Sequence, residues 1–138
     1  MAEVHVTGEL GASVDETWKL VSDFGGLLES MGVPVELSGP EGVGQERKIA
    51  MGPEPTVERL EELDNHGHRL VYSIQSGPLP VSNYLSTMQL SAIGEGRTQL
   101  DWSSSFDPAE GFAEADAVNI VSGIYSGGLG ALQGRFGA

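Results

Sequence analysis

Along residues 3–10 apolar and polar positions alternate, with Val4, Val6 and Leu10 on one phase, which predicts a strand half buried against a core. The period then changes. In SVDETWKLVSDFGGL, residues 13–27, Val14, Trp18 and Val21 recur at helical spacing with Phe24 at their flank, while Asp15, Glu16, Lys19 and Asp23 take the other side. Ser13 and Glu16 make an S-x-x-E capping box: the hydroxyl accepts an orphan amide and the carboxylate reaches back. Asp15 and Glu16 also suit the positive end of the helix dipole. These features predict an amphipathic helix of about three turns, stopped at Gly25-Gly26, with one further short helical turn in LLESMG.

From Val33 to Phe106 the period is two, interrupted by SGPEGVG, GPEP, DNHGH, SGPLP and GEG. Six more strands are predicted, at 33–38, 45–51, 56–63, 69–76, 82–93 and 97–106. All connections are short, so the sheet is expected to be an antiparallel meander. Pairing Met51 with Thr56, Leu63 with Arg69, Ile74 with Ser86 and Ile93 with Arg97 gives registers of consistent parity. One face then collects Arg47, Ile49, Met51, Glu58, Leu60, Tyr72, Ile74, Tyr84, Met88, Leu90, Leu100, Trp102 and Phe106, and the other is polar. In that register Arg47 and Glu58 are diagonal neighbours.

Residues 112–135 predict a long helix with Val118, Val121, Tyr125, Leu129, Leu132 and Phe136 on one side. Gly123, Gly127, Gly130 and Gly134 fall almost opposite. Each interior glycine costs roughly 1 kcal/mol relative to alanine, so docking on the sheet must supply most of the helix's stability. The glycine stripe is either an exposed face or a weak region that lets an interior open.

The chain has 138 residues, which suits a single domain spanning 1–138. Seven Lys and Arg against 20 Asp and Glu give a formal charge of −13. That field repels phosphate backbones and anionic membranes, which argues against nucleic-acid partners. No apolar run approaches the roughly 20 residues of a membrane-spanning helix, so stable membrane insertion is not expected. MAEVHVTGEL has no signal-peptide pattern, and cysteine is absent, so there is no disulfide or thiol nucleophile. A cytoplasmic location is the expectation. HExxH, P-loop and dinucleotide patterns are missing, and so is a Ser-His-Asp order. His66 and His68 flank Gly67 in a turn, and His5 lies on the polar phase of its strand. Neither a metal nor a cofactor is expected.

Four stretches carry a family resemblance: SVDETWKLVSDFGGL, GPEGVGQERKI, VERLEELDNHGHRLVYSI and PLPVSNYLSTMQLSAIGEGRTQLDWSSSF. Together with the final helix they resemble the START-like, or helix-grip, superfamily (SRPBCC), and within it the polyketide cyclase/dehydrase and lipid-transport group. The resemblance implies an α+β helix-grip fold. A seven-stranded curved antiparallel sheet would wrap around a long C-terminal helix, with two short helices between strands 1 and 2. It also implies a cavity between sheet and helix. A tryptophan-proline pair frequent in the group after the first helix is replaced here by LLESMGVP.

Candidate site residues follow from the inner face and that implied cavity. Arg47 and Glu58 are either an ion pair holding the inner face or a polar anchor for a ligand, with Glu58 a base if its pKa is raised. Tyr72, Tyr84, Trp102 and Tyr125 are core or aromatic lining. Ser86 and Ser104, opposed among large residues, leave space or offer hydroxyls, and Met88 is an adaptable filler. Val121 and Tyr125 would face the pocket from the helix, and Phe24 and Leu28, around the helix break, would form its rim. The leading functional expectation is binding of a small hydrophobic molecule: a lipid, a polyketide-like compound or an isoprenoid. The alternatives are a cyclase/dehydrase-type enzyme using Arg47, Glu58 or a tyrosine for proton transfer, and a non-catalytic protein-partner domain with a filled interior.

Overall fold

The computed structural model describes residues 1–50 and 52–138. In chain order the elements are β1 (Ala2–Leu10), α1 (Val14–Val21), α2 (Gly26–Ser30), β2 (Val35–Ser38), β3 (Glu46–Ile49), β4 (Thr56–Asp64), β5 (Arg69–Ser76), β6 (Val81–Gly94), β7 (Arg97–Pro108) and α3 (Glu114–Phe136). The strands form a seven-stranded antiparallel sheet in the order β1-β7-β6-β5-β4-β3-β2. This is the α+β helix-grip arrangement expected from the sequence. Beyond the meander, β1 pairs with β7 from Ala2 opposite Phe106 to Leu10 opposite Thr98. The two short helices leave β1 and carry the chain to β2 at the far edge of the sheet.

The start of α1 has the N-cap half of the predicted box, while the Glu16 carboxylate reaches back to the Ser13 hydroxyl rather than to its amide. Ser13 Oγ accepts the Glu16 amide at 3.2 Å and lies 3.4 Å from Glu16 Oε1. The helix is eight residues, two turns rather than three. Ser22 still makes the helical bond from its amide to the Trp18 carbonyl at 2.8 Å, to which its hydroxyl also donates at 2.6 Å. The ladder breaks at the next residue, where the Asp23 amide turns to the Leu20 carbonyl at 3.1 Å. Asp23 Oδ1 then accepts the Gly26 amide at 3.0 Å and opens α2. A Cβ on Gly26 would fall 2.2 Å from Asp23 Oδ2, so glycine there permits the tight restart.

Parity is as expected over most of the sheet. The irregularity at Leu60/Glu62, however, sets Leu63 opposite Leu70 instead of Arg69 and so changes its face, and Arg97 pairs with Gly94 instead of Ile93. Two further registers differ by two residues. Arg47 lies directly opposite Glu58 and Ile49 opposite Thr56, a slip of two residues that turns the diagonal Arg47–Glu58 relation into a direct one. Between β5 and β6, Tyr72 faces Ser86 and Leu70 faces Met88, again two residues from the expected pairing. The Ser86–Ser104 and Met88–Trp102 pairs are those expected. A slip of two leaves every side chain on its own face, so the inner face keeps its membership. Met51, expected on that face, lies outside the described residues. Irregularities at Leu60/Glu62, Ser82/Leu85 and Ala92/Gly94 break the ladders and bend the strands, and Asn83 adopts φ 52° at the second.

Helix α3 packs on β1 and β7, and its buried seam is Ala117, Val121, Tyr125 and Leu132. Val118, Leu129 and Phe136 are half-buried, so the seam is turned slightly toward Ala117. Gly123, Gly127, Gly130 and Gly134 are exposed, and a Cβ on any of them would meet nothing within 4 Å. Gly128 is different: a Cβ there would sit 2.6 Å from the Trp102 ring. Gly127→Ala is therefore expected to stabilise the fold by about 1 kcal/mol. Gly128→Ala should forfeit that gain to a clash of about 1–3 kcal/mol. Urea unfolding checks this contrast, and equal responses would contradict the packing of Gly128 on Trp102.

Candidate functional site

One row of side chains crosses the inner face: Leu60, Tyr72, Ser86, Ser104 and Val4, each opposite the next on neighbouring strands. Two serines side by side between large residues leave a dent in that face. Tyr125 of α3 fills it. Its ring stacks on Trp102, with centroids 4.4 Å apart and planes 12° from parallel. Its hydroxyl donates to Ser86 Oγ at 2.9 Å and is hydrogen-bonded to the Tyr84 hydroxyl. Trp102 Nε1–H is shared between the Tyr72 hydroxyl at 3.1 Å and Ser86 Oγ at 3.2 Å. The space that the two serines imply is thus taken, in this structure, by a phenol from the helix. Ser104 Oγ is buried with no hydrogen-bond partner among the described residues. Met88 and Val121 are buried in the same core.

Beside this cluster lies the ion pair. Arg47 Nε and Nη2 both reach Glu58 Oε1, at 2.9 and 2.7 Å, with the side chains 4% and 10% exposed. Nη1 donates to the Phe24 carbonyl at 3.0 Å. The guanidinium carbon sits 4.0 Å from the Phe24 ring centroid and 4.9 Å from that of Tyr72. Arg47 therefore ties the helix break to the sheet, and the stack Phe24–Arg47–Tyr72 runs inward from the surface.

Burial is the main reason the tyrosine phenols ionise above their ordinary 10.0. For Tyr72 the neighbouring Tyr125 and Glu58 add to it and Arg47 opposes. Tyr72 and Tyr125 likewise add to it for Tyr84, whereas the hydrogen bonds around Tyr125 partly offset it there. An unfolded chain would release these protons from about pH 10 while the folded one keeps them. The stability from these groups is whole below about pH 10 and falls as the pH rises toward their folded values. Urea midpoints between about pH 9 and about pH 11.5 should decline, and less steeply in Tyr84→Phe. A flat profile would contradict the burial of the cluster.

At the outer end of the Phe24–Arg47–Tyr72 stack a hollow of about 390 Å³ opens, lined by Phe24, Gly25, Leu37, Gln45, Leu60 and Leu63, with Lys19 and Glu41 also on its wall. It lies at the helix break, where Phe24 and Leu28 were expected to form a rim. Phe24 is part of it, but Leu28 is half-buried and does not line it, and the neighbouring Leu27 is 2% exposed in the core. Leu37, Gln45 and Leu63 were not anticipated. They come from β2, the β2–β3 connection and β4, which only the sheet's curvature brings together. A second hollow, about 400 Å³, opens at β1, β6 and β7 among Glu3, Val4, His5, Leu85, Thr87 and Ser104, so it reaches the Ser104 end of the inner row. There His5 Nε2 lies 3.1 Å from Asp101 Oδ1. Partial burial raises the Asp101 carboxyl, but hydrogen bonds from Gln99 and His5 outweigh it and hold the group below the usual carboxylate range.

His68 lies 3.6 Å from Asp15 and edge-on to Trp18, whose Nε1–H donates to Asn65 Oδ1 at 3.0 Å. Among the described residues no cluster of three or more His, Cys, Asp or Glu is placed to hold a metal ion. No helix of the described residues is long and apolar enough to cross a membrane.

A family model described as polyketide cyclase / dehydrase and lipid transport matches residues 1–137. Among solved structures, an uncharacterised protein from Bacillus thuringiensis is 33% identical with a TM-score of 0.87, covering 98% of each chain. The protein XoxI from Bacillus cereus is 34% identical with a TM-score of 0.86, over 99% of this chain and 96% of that one. Norcoclaurine synthase from Thalictrum flavum, solved with dopamine and hydroxybenzaldehyde, is 20% identical with a TM-score of 0.75, over 97% of this chain and 85% of its own. At that identity the likeness is one of fold. No curated protein matches the chain.

Proposed function

Because the chain belongs to the polyketide cyclase/dehydrase and lipid transport family, we propose that it binds a small hydrophobic molecule between the sheet and α3. The family supports a ligand-binding domain in the broad sense. The observation that carries the finer reading is the hollow of about 390 Å³ at the helix break, separated from the buried cluster of hydroxyls by Phe24 and by Arg47, which packs on both Phe24 and Tyr72. Its volume falls in the range of small-molecule sites, and its wall joins the apolar Phe24, Leu37, Leu60 and Leu63 to a polar side that includes Lys19, Asp23 and Glu41. In this proposal Phe24 is the door, Leu37, Leu60 and Leu63 are the outer wall, and Tyr72, Tyr84, Ser86, Trp102, Ser104 and Tyr125 are the inner end. Met88 and Val121 back that end. Arg47 and Glu58 hold the door's backbone and neutralise one another, so the ligand they favour is itself uncharged in the part that passes them. Glu58 is the counter-ion of the buried Arg47, a structural task that supports binding over proton transfer by that carboxylate.

The test is native mass spectrometry of the protein purified from its own host. The expected result is an added mass that disappears after passage over a hydrophobic resin. The bare chain mass alone, before and after the resin, would count against the proposal.

A further inference from the structure

The hydroxyls beneath α3 can be given directions, and those directions define what the place taken by Tyr125 would hold instead. Ser86 Oγ donates its one proton to the Ser103 carbonyl at 3.2 Å. It therefore accepts from Tyr125 O–H at 2.9 Å and from Trp102 Nε1–H at 3.2 Å. Tyr125 has then spent its proton, so the Tyr84 hydroxyl donates to Tyr125. The phenol oxygen of Tyr125 thus gives one hydrogen bond and receives one, while its ring lies flat on Trp102 at 4.4 Å. Next to Ser86, the hydroxyl of Ser104 is buried and without a partner among the described residues.

We propose that Tyr125 occupies the seat of the ligand and that the ligand which displaces it is a planar phenol. The proposal deepens the binding reading above and rests on it. Each part of the seat selects. A flat aromatic ring recovers the stack on Trp102. A hydroxyl recovers both hydrogen bonds, one given to Ser86 and one taken from Tyr84. An ether oxygen accepts from Tyr84 but gives nothing to Ser86, and a hydrocarbon leaves both without their bonds, which buried polar groups do not tolerate cheaply. Ser104 offers a further polar contact to the incoming oxygen. The helix can yield at this point: Tyr125 lies between Gly123 and Gly127, both on the exposed side, so the turn that carries it is intrinsically weak.

The probes are 2-naphthol, 2-methoxynaphthalene and naphthalene, titrated calorimetrically into the full chain. In the wild type 2-naphthol is expected to bind about ten-fold more tightly than 2-methoxynaphthalene, the size of one buried hydrogen bond, and naphthalene should bind weakest of the three. Tyr125→Ala removes the competing phenol, so 2-naphthol should tighten by about ten-fold and keep its preference. Adding Ser86→Ala in that background should abolish the preference over 2-methoxynaphthalene, while the bond from Tyr84 still favours both oxygen-bearing probes over naphthalene. If Tyr125→Ala does not fold, Tyr125→Phe serves: the ring stays but its hydroxyl bonds are gone, and 2-naphthol should again bind more tightly than in the wild type. Equal binding of all three probes in every variant would overturn the phenol seat while leaving an apolar pocket intact. An unchanged affinity for 2-naphthol on replacing Tyr125, or no binding of any probe to wild type and variant alike, would overturn it too. Absence of a host ligand in the mass spectrum is a separate failure, of the binding reading itself.

Discussion

Arg47→Ala is expected to destabilise the protein by about 3–5 kcal/mol, because it strands the Glu58 carboxylate in an interior it cannot leave. The pair is direct, at 2.7 and 2.9 Å, and Arg47 also holds the Phe24 carbonyl, so one substitution removes both the counter-ion and the tie to the helix break. A domain of this size has about 5–15 kcal/mol in all, and the loss would show as a large shift of the urea midpoint. The double variant Arg47→Met with Glu58→Leu should recover most of it, since replacing both charges by apolar groups of similar volume is often neutral or better. If the single variant lost under about 1 kcal/mol, the value of a surface ion pair, the pair would not be the buried strut described above.

Trp102→Ala is expected to cost a similar amount, about 3–5 kcal/mol. The indole is 7% exposed, stacks on Tyr125, wedges against Gly128 and donates to Tyr72 and Ser86. Trp102→Phe keeps most of the packing and loses only the N–H, so its cost should be nearer 1–3 kcal/mol. Chemical denaturation separates the two. Equal costs would place the stabilisation in the N–H bonds rather than in the ring.

The fold was largely legible because its periodicities are long and its turn residues sharp. Ser13 and Glu16 marked the first helix, and Gly25-Gly26 marked the break at which the hollow opens. What the pattern could not carry was register to better than two residues. A strand shifted by two presents the same faces, so the Arg47–Glu58 contact read as diagonal when it is direct. Helix α1 read as longer than it is because the Asp23 amide turns to the Leu20 carbonyl and Asp23 Oδ1 takes the Gly26 amide, local bonds that apolar spacing does not reveal.

Of the proposed site, the inner half was legible as neighbouring positions on one face. Tyr72, Tyr84, Ser86, Trp102 and Ser104 share one phase of three strands, and the small pair of serines among rings pointed to a dent. That Tyr125 fills the dent was not legible, since helical spacing gives the face a residue takes but not how far it reaches across a gap. The outer half was legible only at Phe24. Leu37, Gln45 and Leu63 belong to separate segments, and nothing local to any of them marks a wall. The helix glycines were ambiguous for a related reason: Gly128 meets Trp102, whereas Gly127 meets nothing, and only the packed structure tells them apart.

The central claim, a ligand held between sheet and α3, is tested most directly through the two tryptophans. Trp102 Nε1–H points to Tyr72 and Ser86 inside the site, and Trp18 Nε1–H is bonded to Asn65 at the β4–β5 turn. Their indole signals should be compared in protein taken from its host before and after passage over a hydrophobic resin. The account predicts that the Trp102 signal moves while that of Trp18 stays. A released ligand that leaves the Trp102 signal where it was, or moves only Trp18, would contradict it.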